Sequence, residues 1–263
     1  METDLDRAHG AMDAAPDDDA VRLAFYDRLA DAQLFVLLTV EPAGDAVEPQ
    51  LYDLEEGRFA LAFDLEERLS TFSGAAAPYV ALPGRVIARI LAAEGIGLGL
   101  NLGVAPSAFL MPPEALGWLA GTLAHAPGAA EARPVAYDRP AGVPPALLTA
   151  LDAKLARLTG VADKAHLVSV TYDDGAQGHL LVFEGARDGA EPALAKAMSE
   201  ALVFSGVEAG ALDVTFLAPG DAALGSIVRN ALTFELPQPA RAEMRVLTPS
   251  APGMDPSRPP KLK

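Results

Sequence analysis

Between Ala126 and Pro145 the chain carries prolines at 127, 134, 140, 144 and 145 and glycines at 128 and 142. A proline has no amide hydrogen to give a helix or a sheet ladder, and it pushes the residue before it out of the helical region. No long element can run through such a stretch, so 263 residues must be built as two cores, one on each side. The apolar half of the composition, 51%, is enough for both. The spacing of the remaining signals gives two α+β domains with mixed or antiparallel sheets packed by helices. These are a first domain over 17–126 and a second over 146–237, joined by the Pro-rich linker 127–145. Residues 1–16 read as a flexible arm and 238–263 as a Pro-rich tail. A short strand around Arg133–Tyr137 could belong to either domain.

In the first domain, Asp17, Asp18 and Asp19 place negative charge at a helix start, where the helix dipole favours it. Val21, Phe25 and Leu29 follow on one face. Leu34–Thr39 reads as a buried strand, and Gln50–Leu54 and Arg58–Phe63 as a hairpin around Glu55-Glu56-Gly57. Asp64 with Glu67 resembles a capping box at the start of a short helix. Tyr79–Leu82 is a brief strand, and Val86, Ile87, Ile90 and Leu91 stripe a helix that Gly95 closes.

Gly95–Leu119 is the most apolar stretch, free of charge until Glu114. Ile96, Leu98, Leu100 and Leu102 alternate with Gly97, Gly99, Asn101 and Gly103, the period of a strand with one bulky and one bare face. Pro113 then starts a helix whose inward side is Leu116, Leu119 and Leu123.

The second domain reads as a helix (Leu147, Leu151, Leu155, Leu158), a hairpin of Ala165–Tyr172 and Gly178–Phe183 about Asp174-Gly175, a helix Glu191–Val203 and a strand Ala211–Leu217. A short helix Asp221–Asn230 and a last strand Leu232–Leu236 complete it. That order suggests helices on one face of an antiparallel sheet.

A net charge of −16 without any basic cluster makes nucleic acid and anionic membrane poor partners. The absence of cysteine removes disulfides, thiolate metal sites and a cysteine nucleophile. The acidic N-terminus has no signal-peptide pattern, and Gly95–Met111 is too short and too broken for a membrane span. A cytoplasmic protein is the expectation. No cofactor and no metal site is expected, and an enzyme is disfavoured.

The candidate sites are weak as chemistry. Gly97, Gly99 and Gly103 miss the dinucleotide spacing and lie inside a strand pattern, so a packing role is preferred, with a helix or another backbone close to the bare face. His166 and His179 fall on paired strands. A two-residue turn at Asp174-Gly175 would set His179 opposite Val170 and both histidines on one face, about 13 Å apart, too far to share a metal. They read as partly exposed. His125 suits a helix C-terminus, and His9 lies in the arm. None of Ser107, Ser169, Ser199, Ser205 and Ser226 sits in a nucleophile elbow. What remains is a surface, with Ser107, Met111 and Trp118 as partner contacts. Between the domains a cleft could hold a small ligand, with Arg85 and Asn101 as polar contacts. A protein partner is expected and self-association is compatible with the pattern.

Three runs carry a resemblance: AFYDRLADAQLFVLL, GRFALAFDLEERLSTF and LGLNLGVAPSAFLMPPEALGWLA. Together they resemble the N-terminal domain of the SseB family of bacterial proteins, named for enhanced serine sensitivity. The half after the linker is similar to that family's C-terminal domain. A sound core without a reactive constellation points to a non-catalytic regulatory or protein-interaction role, and the alternative is an amino-acid- or nucleotide-binding protein or an enzyme using an inter-domain cleft; the family name adds a link to serine sensitivity. The resemblance supplies no catalytic residue. Sulfurtransferase chemistry, suggested by a similar name, requires a cysteine that this chain lacks.

Overall fold

The computed structural model describes residues 1–42, 47–128, 132–207 and 212–239. It shows an α+β protein with two mixed sheets, each covered by helices on both faces.

The chain opens with helix α1 (Asp4–Ala14) rather than a loose arm. Thr3 and Asp6 form a reciprocal capping box: Thr3 Oγ1 accepts the Asp6 N–H at 3.2 Å and the Asp6 carboxylate accepts the Thr3 N–H at 2.9 Å. The buried face of α1 is Leu5, Asp6, His9 and Met12. Two of those four are polar, which is why the stripe does not read as apolar in the sequence. Helix α2 (Asp19–Asp31) is capped by Asp18, whose carboxylate accepts the Ala20 N–H at 2.9 Å.

The first sheet contains β1 (Gln33–Leu37), β2 (Leu51–Leu54), β3 (Gly57–Phe63), β4 (Tyr79–Pro83), β5 (Gly97–Leu100) and β6 (Phe109–Met111). Its order is β4-β1-β3-β5-β6, with β2 also on β3. Only β3 and β5 run parallel. The chain leaves β3 through α3 (Glu66–Ser73), passes along β4, and returns through α4 (Gly84–Ala93). One sheet face, with Leu34, Val36, Ala60, Ala62, Leu98 and Leu100, packs under α1, α2, α4 and α5 (Pro113–Ala124). The other, with Leu37, Leu61 and Phe63, packs on α3 through Leu69.

The expected cap of α3 is not made. Leu65 is its N-cap and no side chain caps it, because Asp64 turns to Thr3 and Arg68 instead. The bare face of β5 also differs from expectation. Side chains fill most of it: a Cβ on Gly97 would strike the Phe59 ring and come within 2.8 Å of the Met111 carbonyl oxygen. One on Gly99 would lie 2.6 Å from Leu61 and 2.8 Å from Leu102. The strand stops at Leu100 because Asn101 adopts φ 50°, and Leu102 folds back across Gly99.

The second sheet contains β7 (Pro134–Asp138), β8 (Lys164–Tyr172), β9 (Gln177–Glu184), β10 (Leu212–Leu217) and β11 (Leu232–Glu235). Its order is β10-β9-β8-β11, with β7 also on β8. Part of the Pro-rich linker is therefore a strand of the second sheet. The sheet is mixed, not antiparallel, since β9 and β10 are parallel across α7 (Glu191–Phe204). Helices α6 (Pro145–Leu155) and α7 cover one face. The short α8 (Leu224–Asn230) covers the other, through Leu224 and Ile227 on Val168, Val170 and Val182, so the helices are not confined to one side.

The turn after β8 is longer than two residues. Tyr172 N–H donates to the Ala176 carbonyl at 2.9 Å, Thr171 pairs with Gln177, and His179 lies opposite Ser169. That single-residue shift sends His166 and His179 to opposite faces.

The helical layers of the two halves meet. Phe204, at the end of α7, is buried in the core of the first half with Phe25, Leu29 and Leu119. Among the described residues no helix is long and apolar enough to cross a membrane. Of the tail, residues 240–263 lie outside the described residues.

Candidate functional site

Asp27 and Asp31 stand one turn apart on α2, so both carboxylates leave the same face. That face meets the second half. Lys154, in the last turn of α6, places its Nζ 2.6 Å from Asp27 Oδ1, 2.8 Å from Asp31 Oδ2 and 3.2 Å from Glu200 Oε2 on α7. Arg85, in the first turn of α4, holds Glu200 with both terminal nitrogens at 3.0 Å and also donates to Asp31. Arg157, just past α6, reaches Asp31 at 3.0 Å. Three carboxylates and three cations from four helices thus form one network across the junction. The side chains of Lys154 and Glu200 are only 4% and 5% exposed.

Burial pushes the Asp27 carboxyl up, and the neighbouring charges of Asp31 and Glu200 add to this against the pull of Lys154. Burial alone would lower the Lys154 ammonium; the charges of Asp27 and Asp31 outweigh it and raise it. The Arg85 guanidinium is likewise raised, its desolvation outweighed by Glu200 and Asp31. Asp27, Asp31 and Glu200 offer oxygens that all lie within 4.8 Å of one another, an arrangement that could suit a hard cation. The Lys154 ammonium stands among all three, so the position is occupied by the protein's own cation.

Beside this network lies an open cavity of about 410 Å³, walled by Arg85, Lys154, Arg157, Lys196 and Glu200, with Ala30, Pro83, Leu158, Ala193 and Ala197 as its apolar lining. Arg85, chosen from the sequence as a ligand contact, does reach the space between the halves, but as half of a salt bridge.

The other residues singled out from the sequence lie elsewhere. Ser107 and Met111 are fully buried and so cannot form a partner surface. Asn101 is also fully buried, away from the cleft: its Oδ1 accepts the Asp64 N–H at 3.1 Å and its Nδ2 donates to Ser107 Oγ at 2.8 Å. Ser107 in turn donates to Asp6 Oδ1 at 2.5 Å. Arg68 closes the network, 2.5 Å from Asp6 and 2.8 Å from Asp64. Burial would raise the Asp6 carboxyl, but hydrogen bonds from Arg68, Ser107 and the Thr3 amide, with the Arg68 charge, hold it well below the usual carboxylate range. These residues moor α1 to the first sheet.

Trp118 is 45% exposed on α5. Its ring centroid lies 5.8 Å from that of Tyr26 and 6.3 Å from that of Phe204, so it sits on the seam between the halves.

Neither buried histidine was legible as such. His9 is inside the first core, edge-on to Phe25 and Phe109. His166, 1% exposed, has Nδ1 at 2.9 Å from Thr233 Oγ1 and Nε2 at 3.0 Å from Glu184 Oε2. Both ring nitrogens are thereby satisfied across three adjacent strands. His125 lies where a helix-end histidine belongs, with Nδ1 2.8 Å from the Gly121 carbonyl.

The family model described as the SseB protein N-terminal domain matches residues 8–118, from within α1 to within α5; it does not extend to the second sheet. No curated protein and no solved structure matches the chain. Residues 8–118 thus carry an SseB protein N-terminal domain, which supports assignment to the SseB family.

Proposed function

We propose that this is a non-catalytic, cytoplasmic regulatory or protein-interaction protein of the SseB family, linked to serine sensitivity as that family's name implies. Its second half, 146–237, would be the family's C-terminal domain, joined to the first through 127–145. The observation that carries the reading is the contrast between the ionised groups of the junction and Trp118. Asp27, Asp31, Arg85, Lys154 and Glu200 are engaged with one another. Groups held that way serve cohesion more readily than proton transfer. Trp118 instead leaves nearly half its surface to solvent, and half-exposed tryptophans are favoured anchors in protein interfaces.

Affinity capture from the native host with the wild-type chain and with Trp118→Ala tests this. A partner recovered by the wild type should fall at least about tenfold with the variant, the effect of losing an anchor worth about 1.4 kcal/mol or more. Equal recovery by a variant whose thermal melt remains cooperative would overturn the assignment of the surface.

A second reading is favoured by the cavity of about 410 Å³ between the halves: a small-ligand-binding protein using that cleft. A thermal-shift screen of small molecules separates the two, because a ligand at a hundred times its Kd stabilises by about 2.7 kcal/mol.

A further inference from the structure

The charges around the junction cavity do not balance. Asp27, Asp31 and Glu200 face Arg85, Lys154 and Arg157, and a fourth cation, Lys196, also lines the cavity. Lys196 stands one turn before Glu200 on α7, yet Glu200 is taken by Arg85 and Lys154. Among the described residues no ion pair is formed by Lys196. Arg157 spends one terminal nitrogen on Asp31 and an otherwise open guanidinium, 30% exposed, remains at the cavity. In a chain of net charge −16, the cations Arg85, Lys154, Arg157 and Lys196 outnumber the lining carboxylates Asp31 and Glu200, an excess reduced to one by Asp27 behind Lys154, and the unused donors are all N–H groups.

The complementary group is an acceptor carrying a single negative charge. A guanidinium beside an ammonium fits a carboxylate, which can take two donors at once. A dianion would exceed the local excess and meet Asp31 and Glu200 at close range. The rest of the wall is short and apolar, namely Ala30, Pro83, Leu158, Ala193 and Ala197, and suits a short aliphatic body. The volume, about 410 Å³, lies near the lower end of the roughly 300–1,000 Å³ of small-molecule sites.

Building on the second reading above, we propose that the cleft between the halves binds a small aliphatic monocarboxylate, its carboxylate held by Arg157 and Lys196 and its alkyl part against Ala193, Ala197 and Leu158. Such a ligand touches the segment just past α6 and the α7 face, beside Arg85 of α4.

The test uses the full chain at constant ionic strength. Propionate and isobutyrate are titrated by thermal shift and by ligand-observed NMR, with chloride, inorganic phosphate and isobutylamine as comparison arms. The two carboxylates should raise Tm saturably, and the other three should not. Lys196→Met, at a partly exposed position, should weaken carboxylate binding at least about tenfold, and Lys196→Arg should restore most of it. Saturable binding of isobutylamine in place of the carboxylates would overturn the inference and leave the cleft reading standing. So would carboxylate binding that Lys196→Met does not change, or an equal response to chloride, which marks a general anion effect. No binding by any probe, together with no hit from the broader thermal-shift screen, would remove the cleft reading and this inference with it.

Discussion

Lys154 shows how much a single side chain can carry here. Its ammonium, 4% exposed, contacts three carboxylates. Removing one partner from a buried ionic cluster leaves the remaining charges desolvated and unpaired. Lys154→Met should therefore destabilise the protein by about 3–5 kcal/mol in urea denaturation. Asp27→Asn introduced into that background should recover part of the loss, since Asp31 and Glu200 keep Arg85 and Arg157 while Asp27 is left without the ammonium that paired it. An unchanged midpoint for Lys154→Met would mean that the cluster is not coupled to folding. None of this was legible in the sequence. Lys154 and Asp27 are 127 positions apart and Arg85 and Glu200 are 115 apart. A charged residue on an amphipathic helix ordinarily reads as its wet face, and no local window can pair residues at such separations.

At the scale of elements, helical and strand periodicity located α2, α4, α5, α6, α7 and most strands, because their inward faces are built of leucine, isoleucine and phenylalanine. It failed for α1, where Asp6 and His9 occupy the buried face, and for β6, three residues long between a turn and Pro112. The parallel pairs β3–β5 and β9–β10 were also missed, because strand direction depends on the crossovers and not on the alternation within a strand.

The mooring of α1 has a pH signature. Asp6 titrates well below its ordinary 3.8 in the folded protein, so the stabilisation it gives is present at neutral pH and drains away as pH falls below about 4. Urea midpoints measured from pH 6 to pH 2 should fall more steeply for the wild type than for Asp6→Asn, the two curves converging in acid. Parallel curves would contradict the role given to Asp6.

For the molecule as a whole, β7, within the Pro-rich stretch, is a strand of the second sheet. What composition could not show is that the halves are joined along their helical layers. Phe204 of α7 lies in the first core, Trp118 of α5 packs on it, and beside them the ions of α2, α4, α6 and α7 interlock. The central claim is that this seam makes two α+β units into one cooperative body. The chain has a single tryptophan, and it sits on the seam, so one measurement addresses the claim directly: urea unfolding followed in parallel by Trp118 fluorescence and far-UV circular dichroism. Superimposable curves with one midpoint and one slope are the expected result. Fluorescence that changes at lower urea, while the ellipticity of both sheets persists, would show that the seam opens on its own and would contradict the account.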